Sequence, residues 1–143
     1  MKANKIDHIS IAVRNLEDAR RIWEPVLGKN SPDDAYVDEA ERIRVARYWL
    51  GGVGFELMES LSPDGDVARF IDRHGEGVML ISLNVDSTRS AMQELDAGGY
   101  PLVGGIRSFR DCEFAFVHPK AMNGVLLEVI DYRWPELDAR PKS

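Results

Sequence analysis

Three polar side chains stand inside otherwise apolar, β-branched runs: His8 in IDHISIAV, Glu56 in VGFELMES and Glu128 in GVLLEVID. Each run reads as a strand. Alternate residues of a strand share a face, so Ile6, His8 and Ser10 point one way and Ile9 and Ile11 the other. Gly54, Glu56 and Met58 share a face in the same way, as do Leu126, Glu128 and Ile130. A histidine and two carboxylates gathered on the concave side of one curved sheet suit a divalent metal or general acid–base work. The residues alone leave a plainer alternative open. Antiparallel sheets often keep one wet face, where a strand Glu meets solvent and a strand His is simply hydrogen-bonded. The three lie too far apart in the chain to form a local motif.

The elements that must position them repeat. IDHISIAV (6–13) and VMLISLNV (78–85) align with a shift of 72 (81 − 9 = 72), pairing Ile9 with Ile81, Ser10 with Ser82 and Val13 with Val85. Glu56 and Glu128 are again 72 apart (128 − 56 = 72). Each first strand precedes a helix. In NLEDARRIWEPVLG, Asn15 is an N-cap with Asp18 completing a capping box. Leu16, Ala19, Ile22, Trp23 and Val26 form its apolar face, and Pro25 and Gly28 end it. DSTRSAMQELDAGG is the second capped helix, stopped by two glycines. A short strand is expected near Tyr36 and Val37. IRVARYWLG and VGFELMES form a hairpin, DVARFIDRHG is a helix, and a Gly-Gly bend interrupts YPLVGGIRSF. Tyr48, Trp49, Phe114 and Phe116 read as core or lining residues, His118 as a strand-end residue and His74 as a surface residue. A duplicated strand–helix–strands unit without a run of buried parallel strands argues for an α+β fold. Module one spans about 5–60, a linker helix about 61–76, module two about 77–132, and a tail, read as an extended arm, 133–143.

The chain has 143 residues with 44% hydrophobic and 29% charged, enough for one domain with a sizeable core. A net charge of −6, from 24 acidic and 18 basic residues, disfavours a nucleic-acid partner. The single cysteine, Cys112, excludes an intramolecular disulfide and a thiolate metal cluster. No stretch approaches the ~20 apolar residues of a membrane span, and the first residues carry no apolar secretion signal. The expectation is a cytoplasmic protein without a membrane partner.

IDHISIAVRNLEDARRIWEPVLG, VARYWLGGVGFELMES, the Pro63 helix up to RHGEG and FAFVHPKAMNGVLLEV together resemble the methylmalonyl-CoA epimerases. These belong to the vicinal-oxygen-chelate superfamily of glyoxalases, bleomycin-resistance proteins and dioxygenases. The resemblance covers residues 6–131. It implies two tandem βαβββ modules in a cupped eight-stranded mixed sheet, and a homodimer. It also implies an isomerase that removes and returns the proton α to the carbonyl of a carboxylated acyl-CoA. The implied metal ligands are His8, Glu56 and Glu128. A fourth ligand, a histidine, is replaced by Leu80, so a divalent metal (Co, Mn, Ni, Zn or Mg) is weakened or absent, and no organic cofactor is expected. Glu128 and Glu41 are the implied acid–base pair. Leu80 lines the substrate site and Lys120 meets a CoA phosphate. Two alternatives share the fold: a metal-free ligand-binding protein of the resistance type, or an isomerase or glyoxalase-like lyase acting on a different carbonyl substrate.

Overall fold

The β-branched runs become strands in a computed structural model that describes residues 1–138. In chain order the elements are β1 (Lys5–Ala12), α1 (Leu16–Leu27), β2 (Asp34–Asp38), β3 (Ile43–Leu50), β4 (Val53–Ser60), α2 (Asp66–His74) and β5 (Gly77–Asn84). Then come α3 (Thr88–Ala97), β6 (Leu102–Phe109), β7 (Cys112–Val117), a 3-10 turn (Pro119–Ala121), β8 (Leu126–Ile130) and α4 (Pro135–Asp138). The fold is α+β, with an eight-stranded mixed sheet in the hydrogen-bonded order β2-β3-β4-β1-β5-β8-β7-β6. The described residues form two compact units, His8–Ile81, and Met1–Asp7 with the residues from Ser82 to Asp138. Among the described residues no helix is long and apolar enough to cross a membrane.

In the unit His8–Ile81, Gly51 takes a φ of 60° in the turn that joins β3 to β4. Such a φ is strained for any residue with a Cβ, and the tight turn it permits sets the hairpin register. Leu50 therefore faces Val53, and Arg47 faces Glu56. β1 runs parallel to β4 with Ser10 beside Glu56, and β2 runs antiparallel to β3 with Tyr36 beside Val45. α1 packs on one face of these strands. Its Leu16 and Ala19 join Ile11, Val13, Ala46, Tyr48 and Leu57, with Trp23, Leu27 and Phe55 against them.

Asn15 caps α1 as expected, its side chain accepting from the Asp18 N–H at 2.9 Å. The buried stripe differs from the expected one. Ile22 and Val26 are 67% and 75% exposed, because they sit about 80–120° around the helix from Leu16, whereas Trp23 and Leu27 lie within about 20° of it. The helix also continues past Pro25 and ends at Gly28, whose φ of 72° forms the C-cap.

In the second unit β6, β7 and β8 pair antiparallel, and a register shift between Val103 and Arg107 marks the expected bend at Gly104, whose φ is 66°. Val85, Ala91, Met92, Ala115 and Val129 form its core, and Ser87 caps α3 by accepting from the Ser90 N–H. The expected extended arm is not what forms at Trp134. The indole is buried and donates to Asp7 Oδ2 at 2.7 Å, and Pro135–Asp138 is helical. A large aromatic with one polar atom gains by burying its ring wherever that atom finds an acceptor. Residues 139–143 of the expected tail lie outside the described residues.

Candidate functional site

Because alternate residues of a strand face opposite ways, packing α1 against Ile11, Ala46, Tyr48 and Leu57 leaves His8, Ser10, Arg47 and Glu56 together on the other face of the unit His8–Ile81. All four are buried. Glu56 is their hub. Ser10 Oγ donates to Glu56 Oε1 at 3.0 Å, and the Arg47 guanidinium forms an ion pair with Glu56 Oε2. His8 Nε2 stands 3.7 Å from Glu56 Oε1, beyond hydrogen-bond length. Arg47 Nη2 also donates to the Tyr36 hydroxyl at 2.9 Å, and the guanidinium lies 5.4 Å from the ring centres of both Tyr36 and Trp49. Among the described residues no three His, Cys, Asp or Glu side chains form a group that could hold a metal.

The donor set of this unit does not fit a divalent cation. Both oxygens of Glu56 already accept from protein donors, and the buried Leu80 has no lone pair to offer. A divalent ion about 4 Å from the guanidinium would meet roughly 8 kcal/mol of repulsion at an effective dielectric of about 20.

The second unit carries the matching pair. Ser82 Oγ donates to Glu128 Oε1 at 2.7 Å, and both residues are buried. The sequence separation is 46 in each pair, Ser10–Glu56 and Ser82–Glu128. The cross-strand neighbour differs, since Phe116 faces Glu128 where Arg47 faces Glu56. Arg107 lies 5.2 Å from the Phe116 ring centre. Val129 and Ala115 point into the α3 core, so Glu128 lies on the face away from that helix.

The remaining expected residues lie on turns or at a helix end. Glu41 is half-buried in the turn between β2 and β3, its N–H donating to Asp38 Oδ1 at 3.1 Å. Lys120 is exposed on the 3-10 turn, where its N–H donates to His118 Nδ1 at 3.0 Å. His74 is exposed at the end of α2. An open cleft of about 420 Å³ lies between the ends of β1 and β4 and helix α2, lined by Val13, Arg14, Leu61, Pro63, Ile71 and Asp72 among others. None of the expected site residues lines it.

Arg47 is the site residue that sequence reasoning missed. Its signal was available: a two-residue turn at Gly51-Gly52 makes paired positions sum to 103 (50 + 53), which places 47 opposite 56.

A family model described as glyoxalase/bleomycin resistance protein/dioxygenase superfamily matches residues 7–116. The chain is 32% identical over 130 residues to the Bacillus subtilis protein named "Uncharacterized protein YqjC", covering 90% of this chain and 92% of that one. It is 26% identical over 140 residues to human mitochondrial methylmalonyl-CoA epimerase, covering 87% of this chain and 72% of that one. The crystal structure of methylmalonyl-CoA epimerase from Mycobacterium tuberculosis superposes with a TM-score of 0.83 at 26% identity, covering 96% of this chain and 93% of that one.

Proposed function

Because the chain belongs to the glyoxalase/bleomycin resistance protein/dioxygenase superfamily, we propose that it is an isomerase of the methylmalonyl-CoA epimerase kind. It removes and returns the proton α to the thioester carbonyl of a carboxylated acyl-CoA. Glu128 is the acid–base group. The observation that carries this assignment is a buried carboxylate on the face of its unit turned away from α3, its Oε1 accepting from the Ser82 hydroxyl at 2.7 Å. A buried carboxylate oriented by a hydroxyl is the kind of group that removes and returns a proton in general acid–base catalysis. Glu41 is the second acid–base candidate, and the exposed Lys120 meets a phosphate of the CoA moiety.

The test is incubation with methylmalonyl-CoA in D2O, following incorporation of α-deuterium by mass spectrometry. The wild type exchanges above background, and Glu128→Gln falls to background while remaining folded. Loss of exchange in Glu41→Gln assigns the second proton carrier. No exchange by the wild type, with or without Co²⁺ or Mn²⁺, refutes the isomerase reading. A second reading, a ligand-sequestering protein of the same fold, is favoured by the buried Leu80 standing where the family pattern has a histidine. Saturable acyl-CoA binding without exchange is its signature.

A further inference from the structure

The cluster around Glu56 contains a permanent cation whose role the isomerase reading does not use. We propose that Arg47 is the resident cation of this unit: it stands in for a divalent metal and turns Glu56 from a metal ligand into the anchor of a guanidinium. The inference is independent of the acyl-CoA reading.

Three observations carry it. The carboxylate is satisfied on both oxygens by the protein itself, Ser10 on Oε1 and Arg47 on Oε2, so a metal would have to displace a buried ion pair before it bound. The guanidinium is held from three further sides, by the Tyr36 hydroxyl and by the rings of Tyr36 and Trp49, which makes it a fixed group rather than a surface arginine folded inward. Strand pairing does not require an arginine here, since the matching position opposite Glu128 is Phe116. An arginine keeps its charge at every pH a protein survives, so the exclusion of a second cation is permanent. Leu80 and Arg47 therefore act together: one withholds a lone pair and the other fills the charge that a metal would supply. A purely structural ion pair predicts something different, namely that restoring the histidine alone restores the metal.

The experiment is a Co²⁺ titration followed by the visible d–d bands and by equilibrium dialysis. It compares the wild type, Leu80→His, Arg47→Met and the Leu80→His/Arg47→Met double variant, with circular dichroism as the folding check. Only binding that is abolished by adding His8→Ala is counted. The wild type and Leu80→His bind no Co²⁺ at micromolar free metal, and the double variant binds at least tenfold more tightly than Leu80→His. Micromolar binding by the wild type, or Leu80→His binding as tightly as the double variant, overturns the proposal. Should the Arg47→Met variants fail to fold, the wild type and Leu80→His decide it between them: binding by either at micromolar metal refutes the resident cation, and its absence from both supports it.

Discussion

Replacing Arg47 by Met leaves the Glu56 carboxylate buried without the cation that now neutralises it. The side chains of Arg47 and Glu56 are only 5% and 3% exposed, so solvent screens little of the lost interaction. Removing one partner of such a pair costs about 3–5 kcal/mol, most of it the uncompensated charge that remains. Glu56→Gln creates the mirror-image defect and costs about the same. The double variant carries no buried charge at this position. Met fills much of the arginine's volume, and the Gln side chain still accepts from Ser10. It should therefore lose about 2 kcal/mol or less, which is less than either single variant. Urea unfolding at pH 7 measures the effect, with an unchanged m-value confirming a common unfolding transition. Each single variant should melt about 10 °C below the wild type, on a scale of about 3 °C per kcal/mol for a chain of this size. Additivity within about 0.5 kcal/mol would refute the reasoning, because it would mean that the two charges do not depend on each other.

Three further outcomes follow from the packing. Tyr48 donates to Glu24 Oε2 at 2.6 Å, and Tyr48→Phe should cost about 1.5–3 kcal/mol at pH 7 by urea unfolding. Burial works against the Glu24 carboxylate, but the Tyr48 hydroxyl and the Arg20 guanidinium outweigh it and hold its pKa below the ordinary value. The stabilisation is therefore complete above the unfolded carboxylate pKa and is lost as pH falls through the lower folded value, so the penalty of Tyr48→Phe should shrink in acid; a constant penalty would contradict this. Burial pushes the Cys112 thiol up to about 12, so at pH 8 only on the order of 10⁻⁴ of it is thiolate. A chromogenic disulfide reagent should label it more than about a hundredfold more slowly in the native protein than in denaturant, and equal rates would disprove the burial. Trp134→Phe removes the indole N–H from the buried Asp7 carboxylate and should cost about 1.5–3 kcal/mol, read as a lower midpoint in thermal melting.

The duplication was legible because identical residue types recur at identical spacing, which matched Ser10 with Ser82 and Glu56 with Glu128; the bonds Ser10–Glu56 and Ser82–Glu128 came from the strand packing. The hairpin and the Asn15 cap were legible for a similar reason, since Gly51 and Asn15 act on backbone within a few residues of themselves, while the second cap, open between Asp86 and Ser87 in the sequence, is Ser87. Arg47 was hidden because a long cationic side chain in a strand is ordinarily solvated at its tip. Only the hairpin register, taken together with the face packed under α1, reveals that it is buried. Ile22 and Val26 misled because they extend the helical apolar stripe without lying at its centre. Trp134 opens a polar, proline-bearing stretch, and its acceptor lies 127 residues away at Asp7, a separation no local pattern encodes.

That long-range bond constrains the order in which the molecule is completed. The unit His8–Ile81 is one uninterrupted segment, fully synthesised once residue 81 has been added. The other unit opens with Met1–Asp7 and includes Trp134, so Asp7 waits for nearly the whole chain to be synthesised before its indole donor arrives. Synthesis at about 5–20 residues per second makes that wait roughly 6–25 seconds, long compared with the folding of a small domain. During it, Asp7, in the strand segment Lys5–Asp7 that opens β1, is without its indole donor. The polar Lys5 and Asp7 within that segment are the kind of side chains that keep a waiting strand from pairing with another molecule.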